Sequence, residues 1–301
     1  MIAYLFPGQG SHSVGMGQAA VEASSAARDL FAQADEILGF SIQDLCFNGP
    51  EDQLTDTSNQ QPALYVTSLA VLKAMEEAGA DVYPAASYMA GHSLGELSAL
   101  AAAGAITFED GLRLVRQRGE LMKAAGEQAP GGMAAVLGLD VAQVTEACNK
   151  AAAETGDRVQ LANDNCPGQI VISGDVTAVT RTGEIMQEMG ARKVVPLAIT
   201  IAAHSPLMAS ASTEFSAALD GISISAPTVP VIGNTTAAPL TTPEDIRAEL
   251  NAQLTGSVRW TESMQYLVGQ GITEMYEVGS GDVLQKLMKR IDRKVARKRF
   301  T

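Results

Sequence analysis

Residues 90–96 read AGHSLGE, a stretch in which Ser93 is the centre of a Gly-x-Ser-x-Gly string. Small and apolar residues at 85–89 predict the end of a buried strand before it, and residues 97–103 predict a helix after it. A string of this kind between strand and helix is typical of a nucleophile elbow, where the glycines allow a tight turn that exposes the serine hydroxyl. Ser93 is therefore the candidate nucleophile.

The helix that follows Ser93 supplies a second feature. Its first N–H groups have no helical acceptor and its dipole places positive potential at that end, so they can stabilise negative charge on a carbonyl oxygen. Leu94 N–H is the first expected donor. Five-residue strings like this also occur by chance, and most such serines are caps or turns, but the strand–turn–helix context favours catalysis.

Length and composition bound the class of protein. A chain of 301 residues suffices for one large domain or two unequal ones, and 46% hydrophobic with 18% charged residues is typical of a compact globular enzyme. The formal net charge of −13 argues against nucleic acid as a partner. No apolar run is long enough to cross a bilayer and the N-terminus has no basic region of a signal peptide, so we expect no membrane partner and a soluble, cytoplasmic protein.

Cys46, Cys148 and Cys166 are widely spaced and match no pattern of metal ligands. We therefore expect reduced thiols, no disulfide framework and no metal site.

The first half of the chain predicts an α/β fold. An apolar strand at 2–6 leads into a Pro/Gly loop, residues 7–11, and this places Gln9 at the carboxyl edge of a sheet, where its glycine neighbours allow close backbone approach. Helices are predicted at 18–38, 59–78 and 108–125. Pro62 suits the first turn of the second helix, and Gln60 and Gln61 come just before it.

The middle of the chain changes character at about residue 130. The pattern predicts strand 133–138, helix 141–155, strands 158–162 and 169–173, helix 176–189 and strand 193–199. This β-α-β-β-α-β order is typical of a ferredoxin-like unit. We therefore predict a small subdomain at 130–199 inserted into a larger one formed by 1–129 and 200–301.

The remaining segments return to α/β alternation. Helices are predicted near 207–219, at 243–254, at 260–270 and from 282 onward, with strands at 229–234 and 274–278. Between Lys286 and Arg299, eight Lys or Arg residues face one acidic residue. We expect a frayed, solubilising terminus more than a docking surface for an acidic partner, although the helical pattern would place several of these charges on one face.

A serine nucleophile needs a base, which is usually histidine because its pKa lies near neutrality. The chain has three histidines. His92 lies inside the elbow beside Ser93, and His12 follows the first loop, so His204 is the best candidate. A lone loop histidine is more often structural, and the sequence does not select a third, orienting group.

Arg118 lies four residues after Leu114 on the same helical face, so it is partly buried if Leu114 faces the core. A guanidinium there could bind a carboxylate bidentately, as a diacid-derived acyl group would require. Spacing alone favours a solvated helix arginine.

Eight co-linear motifs together resemble the malonyl-CoA:acyl carrier protein transacylases of the bacterial acyltransferase family, over almost the whole chain. They are FPGQGS at 6–11, QQPAL at 60–64, GHSLGE at 91–96, Arg118-Gly119, NDNCPGQ at 163–169, HSPLM at 204–208, QL at 253–254 through VRW at 258–260, and YEVGSG at 276–281.

The resemblance implies that Ser93 takes a malonyl group from coenzyme A and passes it to the phosphopantetheine thiol of an acyl carrier protein, with no cofactor of its own. It implies His204 as base and then acid, Arg118 as the ligand of the malonyl carboxylate, and the amides of Gln9 and Leu94 as oxyanion hole. The larger subdomain is expected to be α/β-hydrolase-like.

The resemblance further implies that the backbone carbonyl of Gln253 orients the histidine, and it places Gln61 among the substrate-binding residues. Before the histidine, Ala203 stands where malonyl-selective members often have Phe, so methylmalonyl could be tolerated.

The alternatives are a serine acyl hydrolase or esterase, which has no need of Arg118, and an inactive carrier-protein-binding subunit, against which intact Ser93, His204 and Arg118 speak. We expect a monomer serving fatty-acid or polyketide synthesis.

Overall fold

The structure is a computed structural model that describes residues 1–300. Its ten strands in that range are β1 (Ile2–Phe6), β2 (Tyr88–Gly91), β3 (Gly131–Leu137), β4 (Val159–Cys166), β5 (Gln169–Asp175), β6 (Lys193–Pro196), β7 (Val231–Ile232), β8 (Pro239–Leu240), β9 (Glu274–Glu277) and β10 (Ala296–Arg299). The predicted α/β class is confirmed.

Within the same range the α-helices are α1 (Gln18–Ala23), α2 (Ser25–Leu38), α3 (Ile42–Asn48), α4 (Glu51–Thr55), α5 (Thr57–Ala78), α6 (Leu94–Ala102), α7 (Phe108–Gln128), α8 (Val141–Thr155), α9 (Val176–Glu188), α10 (Ala209–Asp220), α11 (Pro243–Gln253), α12 (Trp260–Gly269) and α13 (Val283–Ile291). A 3-10 turn at Pro206–Met208 precedes α10.

The strands form two sheets. The larger has the order β10-β9-β1-β2-β7-β8, with parallel neighbours except for the antiparallel pair β7 and β8. Helix α6 packs against β1 and β2, and α5 packs in turn against α6 and α7 and is buried along most of its length. This face of the sheet thus has the apolar cover that a parallel sheet needs. In the register of β1 and β2, Phe6 lies beside Gly91. The loop after β1 and the elbow after β2 therefore leave the sheet side by side.

The smaller sheet is built from residues 131–196 and has the order β4-β5-β3-β6, with antiparallel neighbours throughout. Helices α8 and α9 enclose its own apolar cluster, which includes Ile170, Ile172 and Met186. Strand β4 is also joined to the larger unit, since Val258 N donates to Ala162 O at 2.8 Å and Asp164 N donates to Val258 O at 2.9 Å. The β-α-β-β-α-β element order matches the prediction.

Two predicted helices differ from the structure, one by a break and one by its first residue. The helix expected at 18–38 is two helices, because Ser24 has extended backbone and its hydroxyl caps α2 by accepting from Ala27 N. The helix expected from 59 begins at Thr57, so Pro62 lies inside it. Proline has no N–H to offer Ser58 O, and the Nη1 of Arg116 donates to that carbonyl instead, at 3.0 Å.

The C-terminal segment is the largest correction to the fold. The helix expected from 282 ends at Ile291, and the terminus expected to fray forms β10, a parallel edge strand beside β9. Lys298 Nζ also lies 2.9 Å from Glu274 Oε1 and over the Tyr276 ring. Runs of Lys and Arg carry little strand propensity, so pairing with β9 decides this conformation. Likewise, the strand expected at 229–234 is only two residues long and pairs with the unpredicted β8.

In residues 1–300 no helix is long and apolar enough to cross a membrane, and no cluster of three potential metal ligands occurs. The three cysteines are buried and free.

Candidate active site

Ser93 occupies a sharp turn between β2 and α6. Its backbone has φ 51° and ψ −108°, a region that a non-glycine residue rarely adopts and that marks functional strain when it persists. A Cβ added to Gly91 would lie 1.9 Å from the carbonyl group of Gly95, and one added to Gly95 would lie 2.1 Å from Phe6 O. The turn is therefore possible only with glycine at both positions, as the elbow motif predicts.

The loop after β1 lies directly against this turn. A Cβ on Gly8 would lie 2.3 Å from His92 O, so glycine allows the two backbones to touch and brings Gln9 to the cavity that Ser93 lines. The side chain of Gln9 is held aside, because its Nε2 donates to Gln60 Oε1 at 2.8 Å. Leu94 is the first residue of α6, so its N–H lies at the positive end of that helix.

His204 lies beside the serine. Its Nε2 is 2.8 Å from Ser93 Oγ, and its Nδ1 is 2.9 Å from Gln253 O and 3.1 Å from Gly256 O. Two carbonyl acceptors at Nδ1 require that nitrogen to carry the proton, which leaves Nε2 with the lone pair that faces the hydroxyl. The structure thus pairs the candidate nucleophile with the candidate base, and main-chain carbonyls stand where an acidic third residue would orient the imidazole.

The protonation state of His204 suits a base. Burial and, second, the positive charge of Arg118 lower the pKa of His204 from its ordinary 6.5 to about 3. The imidazole is therefore neutral, with Nε2 unprotonated, across the whole neutral and mildly acidic range.

Arg118 is completely buried, which overturns the solvated position that helical spacing alone favoured. Its Nη1 donates to Gln61 Oε1 at 2.9 Å, and its Nη2 donates to Ser93 Oγ at 3.1 Å and to Gln253 Oε1 at 3.0 Å. Burial lowers the pKa of Arg118 to about 10, so it remains charged at neutral pH. The structure therefore gathers Ser93, His204, Arg118, Gln61 and Gln253 at one point.

Two buried residues that the sequence did not assign hold this group in place. Asn234 Oδ1 accepts from Ser93 N at 2.7 Å and its Nδ2 donates to Gly91 O at 2.7 Å, so it fixes both sides of the elbow. Glu96 accepts from the side chains of Asn234 and Gln253. Glu96 stands in the elbow motif and on a wholly buried face of α6, and that combination is the signal that could have identified it.

A third unassigned residue comes from the smaller unit. Gln160 on β4 donates from Nε2 to His204 O and to Thr255 O, both at 2.8 Å. His204 has φ 55°, another conformation that needs support from its surroundings. The smaller unit therefore braces the backbone of the candidate base. Nothing local in the sequence marks Gln160, because its partners are more than 40 residues away.

The other two histidines are engaged elsewhere. His92 Nε2 lies 2.8 Å from Asn165 Oδ1 with its ring beside Trp260, and His12 Nδ1 lies 2.8 Å from Gln60 Nε2. Neither hydrogen-bonds to Ser93, which agrees with the elimination made from the sequence.

Ser93 and His204 open into a cavity of about 540 Å³ between the two units. Ala203 lines it together with apolar side chains, which are Met133, Val171, Leu197 and Ile201. Lys123 and Asp56, paired at 2.6 Å, also line it. The volume lies in the usual range of small-molecule sites.

The arrangement can activate a hydroxyl, hold an acyl group on it and bind a negative charge beside it. The hydroxyl–imidazole contact can serve as nucleophile and base, the N-terminus of α6 and the Gln9 loop lie beside Ser93, and the buried guanidinium can donate to a carboxylate. These groups together are suited to acyl transfer through a serine ester from an acidic acyl donor.

Comparisons with known proteins agree with this chemistry. The family described as acyl transferase domain matches residues 3–291. The chain is 44% identical over 294 residues to a malonyl CoA-acyl carrier protein transacylase of Bacillus subtilis, covering 98% of this chain and 91% of the relative. It is 43% identical over 293 residues to a polyketide biosynthesis malonyl CoA-acyl carrier protein transacylase of the same species, covering 97% of each.

A solved structure of a type II polyketide-synthase acyl carrier protein in complex with its malonyl-transacylase is similar throughout. Its TM-score is 0.94 at 38% identity, over 99% of this chain and 95% of that one.

Proposed function

The chain belongs to the acyl transferase family, and we propose that Ser93 carries a malonyl group as an ester between coenzyme A and an acyl carrier protein. The reaction is malonyl transfer between these two thiols, as in the relatives that match along almost their whole length. The contact of 2.8 Å between Ser93 Oγ and His204 Nε2, beside the buried Arg118, carries the residue assignment.

In the first half-reaction, His204 Nε2 takes the proton of Ser93 Oγ as the oxygen attacks the thioester carbonyl of malonyl-CoA. The new C–O bond forms, and negative charge on the carbonyl oxygen is met by the N–H groups of Gln9 and Leu94. The C–S bond then breaks, and His204 returns the proton to the sulfur of coenzyme A. Gln253 O keeps the imidazole in the required tautomer throughout.

The second half-reaction runs the same steps in reverse order with another thiol. The phosphopantetheine thiol of the carrier protein gives its proton to His204 and attacks the malonyl ester, and Ser93 recovers the proton as the C–O bond breaks. The cavity between the units serves both thiols, since each ends the same kind of flexible arm. No cofactor is required.

Arg118 selects the acyl group. The free malonyl carboxylate binds its guanidinium bidentately, next to Gln61, and a neutral acyl group leaves that buried charge without a partner. The esterase alternative gains no support, because the relatives are transacylases and because a fixed buried arginine disfavours neutral esters.

The two sheets support a division of the chain into two subdomains. We propose that residues 1–129 and 200–301 form an α/β-hydrolase-like catalytic subdomain and that residues 130–199 form a ferredoxin-like one, which the parallel and antiparallel strand orders support. We further propose that a single copy of the chain is active, since Ser93, His204 and Arg118 all come from one chain.

Intact-mass analysis tests the proposal directly. With malonyl-CoA the protein is expected to gain one malonyl group, and to lose it to carrier proteins that carry phosphopantetheine but not to unmodified ones. Both a fatty-acid and a polyketide carrier protein would be used. Ser93→Ala should gain no mass, because the acceptor oxygen is absent, and labelling of that variant would refute the assignment.

A further inference from the structure

Arg118 has an unusual set of neighbours for a buried cation. Its hydrogen-bond acceptors are Gln61, Ser93 and Gln253, all uncharged, and no carboxylate in residues 1–300 contacts it. A buried charge without a partner is costly, so a counter-charge must act from further away. The negative group that follows next along the hydrogen-bond chain is Glu96, which is completely buried.

Arg118 determines the orientation of the Gln253 side-chain amide, which lies between Arg118 and Glu96. A guanidinium can only donate, so Gln253 must present Oε1 to it, at 3.0 Å from Nη2. The other end of that amide, Nε2, then faces Ser93 O at 2.9 Å and Glu96 Oε2. Glu96 Oε2 is therefore an acceptor.

A second obligatory donor fixes the other oxygen of Glu96. Ser93 N–H can only donate, so Asn234 must present Oδ1 to it and turn Nδ2 towards Glu96 Oε1, at 3.1 Å. The main-chain N–H of Asn234 also donates to Oε1, at 2.8 Å. Both oxygens of Glu96 meet only donors, which is the environment of an ionised carboxylate.

Opposing influences act on this group. Burial and, second, the charge of Glu249 raise the pKa of Glu96 well above its ordinary value of 4.5, and the hydrogen bonds from Asn234 and Gln253 and the charge of Arg118 lower it only in part. A protonated Glu96 would need an acceptor for its hydrogen, and its polar contacts offer none. The hydrogen-bond pattern therefore favours the carboxylate.

We propose that Glu96 is a positioning residue for malonyl selectivity. Glu96 holds Arg118 in place through the Gln253 side-chain amide, and its negative charge balances that of Arg118 without direct contact. The inference rests on the proposed role of Arg118 in binding the malonyl carboxylate. A carboxylate in direct contact with Arg118 would occupy the fork that the substrate needs. Separated from it by one amide, Glu96 stabilises the cation and leaves only uncharged acceptors against it, which a substrate carboxylate can displace.

The isosteric substitution Glu96→Gln breaks this chain of orientations. With its Oε1 facing the donors of Asn234, the new amide points NH₂ at Gln253 Nε2, and two donors meet. If Gln253 turns over to relieve that contact, its NH₂ faces Arg118 instead. In either case Arg118 loses its fixed position, although the volume of the side chain is unchanged.

The test measures kcat/KM for malonyl-CoA and acetyl-CoA in Glu96→Gln and in Glu277→Gln. Glu277 is a matched control, since it is a buried side chain that accepts from Leu284 N and Gln285 N and does not contact Gln253. Glu96→Gln is expected to lower the malonyl-to-acetyl ratio about tenfold or more, the size of a lost hydrogen bond to a charged group. Glu277→Gln should leave that ratio unchanged.

A double-mutant cycle with Arg118→Ala separates this inference from the proposed function. If Glu96 acts through Arg118, then Glu96→Gln should change the ratio by less than about twofold once Arg118 is absent. Equal loss of both substrates in Glu96→Gln, with Arg118→Ala still selective, overturns the role of Glu96 alone. A ratio unchanged by Arg118→Ala overturns the proposed role of Arg118.

The double variant Glu96→Gln with Gln253→Glu keeps the test open if the single variant does not fold. It exchanges donor and acceptor between the two positions, so the amide at 96 can donate to the new carboxylate at 253 while still accepting from Asn234, although Ser93 O loses the donor that Gln253 Nε2 supplies. The new carboxylate would contact Arg118 directly and occupy the donor that now binds Gln253 Oε1. The double variant is expected to lose the malonyl preference, and a retained preference would refute the requirement for uncharged acceptors around Arg118.

Discussion

The cavity has a floor and a wall that are built by different means. The floor comprises Ser93 and His204, which line the cavity, and Arg118, Gln61 and Gln253 directly behind them. All five are almost completely buried and joined by hydrogen bonds whose donors and acceptors are fixed. The wall comprises Met133, Val171, Leu197, Ile201 and Ala203, which contribute mainly apolar surface. In the floor a lost partner leaves a buried polar group unsatisfied, whereas in the wall a substitution changes only the available space.

This difference predicts that floor substitutions change the reaction by large factors and wall substitutions change only the preference between acyl groups. The floor also limits which substitutions are tolerated, because each amide orientation depends on the next.

The largest effect is expected at Arg118. Arg118→Ala should lower malonyl transfer by ~10²-fold or more, since removing one partner of a desolvated charged pair costs about 3–5 kcal/mol. Acetyl transfer should hold or improve, because acetyl has no carboxylate. Steady-state kinetics with both donors measure this.

The matched control lies on the same helix. Arg116 is half-buried, pairs with Glu120 and contacts the start of α5 at Ser58 O and Asn59 Oδ1. Arg116→Ala should affect stability more than the choice of acyl group. Equal losses of malonyl and acetyl transfer in Arg118→Ala would show that Arg118 is structural and that the floor does not read the substrate.

The connection between the smaller unit and the floor predicts an intermediate effect. Gln160→Leu removes both donors to His204 O and Thr255 O, so kcat should fall about tenfold for malonyl and acetyl alike, given roughly 1–3 kcal/mol per unsatisfied buried acceptor. Gln187→Leu, on the exposed side of α9, is the control. A change in the malonyl-to-acetyl ratio would contradict a role confined to the base.

A smaller effect is expected in the wall at Ala203. Methylmalonyl-CoA should be accepted measurably. Ala203→Phe should lower transfer from methylmalonyl-CoA about tenfold more than transfer from malonyl-CoA, because excluding one extra methyl group from a filled pocket gives discrimination of about that size. Competition between the two donors, read by the mass of the acyl-enzyme, measures the preference. If both donors respond alike, Ala203 does not line the space beside the α-carbon.

The smallest effect concerns pH. Because the pKa of His204 is lowered to about 3, its base form persists on acidification, and the rate of acylation should be almost flat from pH 8 to pH 5. An unshifted histidine would lose most of its base form over that range. Rapid-quench measurement of acyl-enzyme formation gives the profile.

Two further consequences follow from the same pKa. In Arg118→Ala the acidic limb of the pH–rate profile should move to higher pH, because the charge of Arg118 is the second cause of the lowered pKa of His204. Unfolded His204 binds a proton below about pH 6.5 and the folded residue does not, so this group removes stability as pH falls from there towards 3. An acid limb near pH 6.5 in the unaltered protein would contradict the buried, neutral base.

Much of the fold was predictable because it is encoded locally. The α/β class follows from the apolar strands and amphipathic helices, and the β-α-β-β-α-β order of residues 131–196 follows from the periodicity there. Errors arose where pairing with distant residues decided the outcome. The basic segment Ala296–Arg299 became a strand because β9 offers a free edge, and Pro62 is tolerated inside α5 because Arg116 supplies the missing donor.

The sequence by itself determined the elbow and the candidate base. Gly91 and Gly95 flank Ser93 because the tight turn leaves no room for a Cβ at either position, and the five-residue motif alone shows that requirement. His204 emerged by elimination among three histidines. Only the tertiary structure decided that Arg118 is buried, that Gln160 supports the base and that Glu96 completes the floor. Their partners lie between 25 and 157 residues away along the chain, and a hydrogen bond over such a distance has no local periodicity to reveal it.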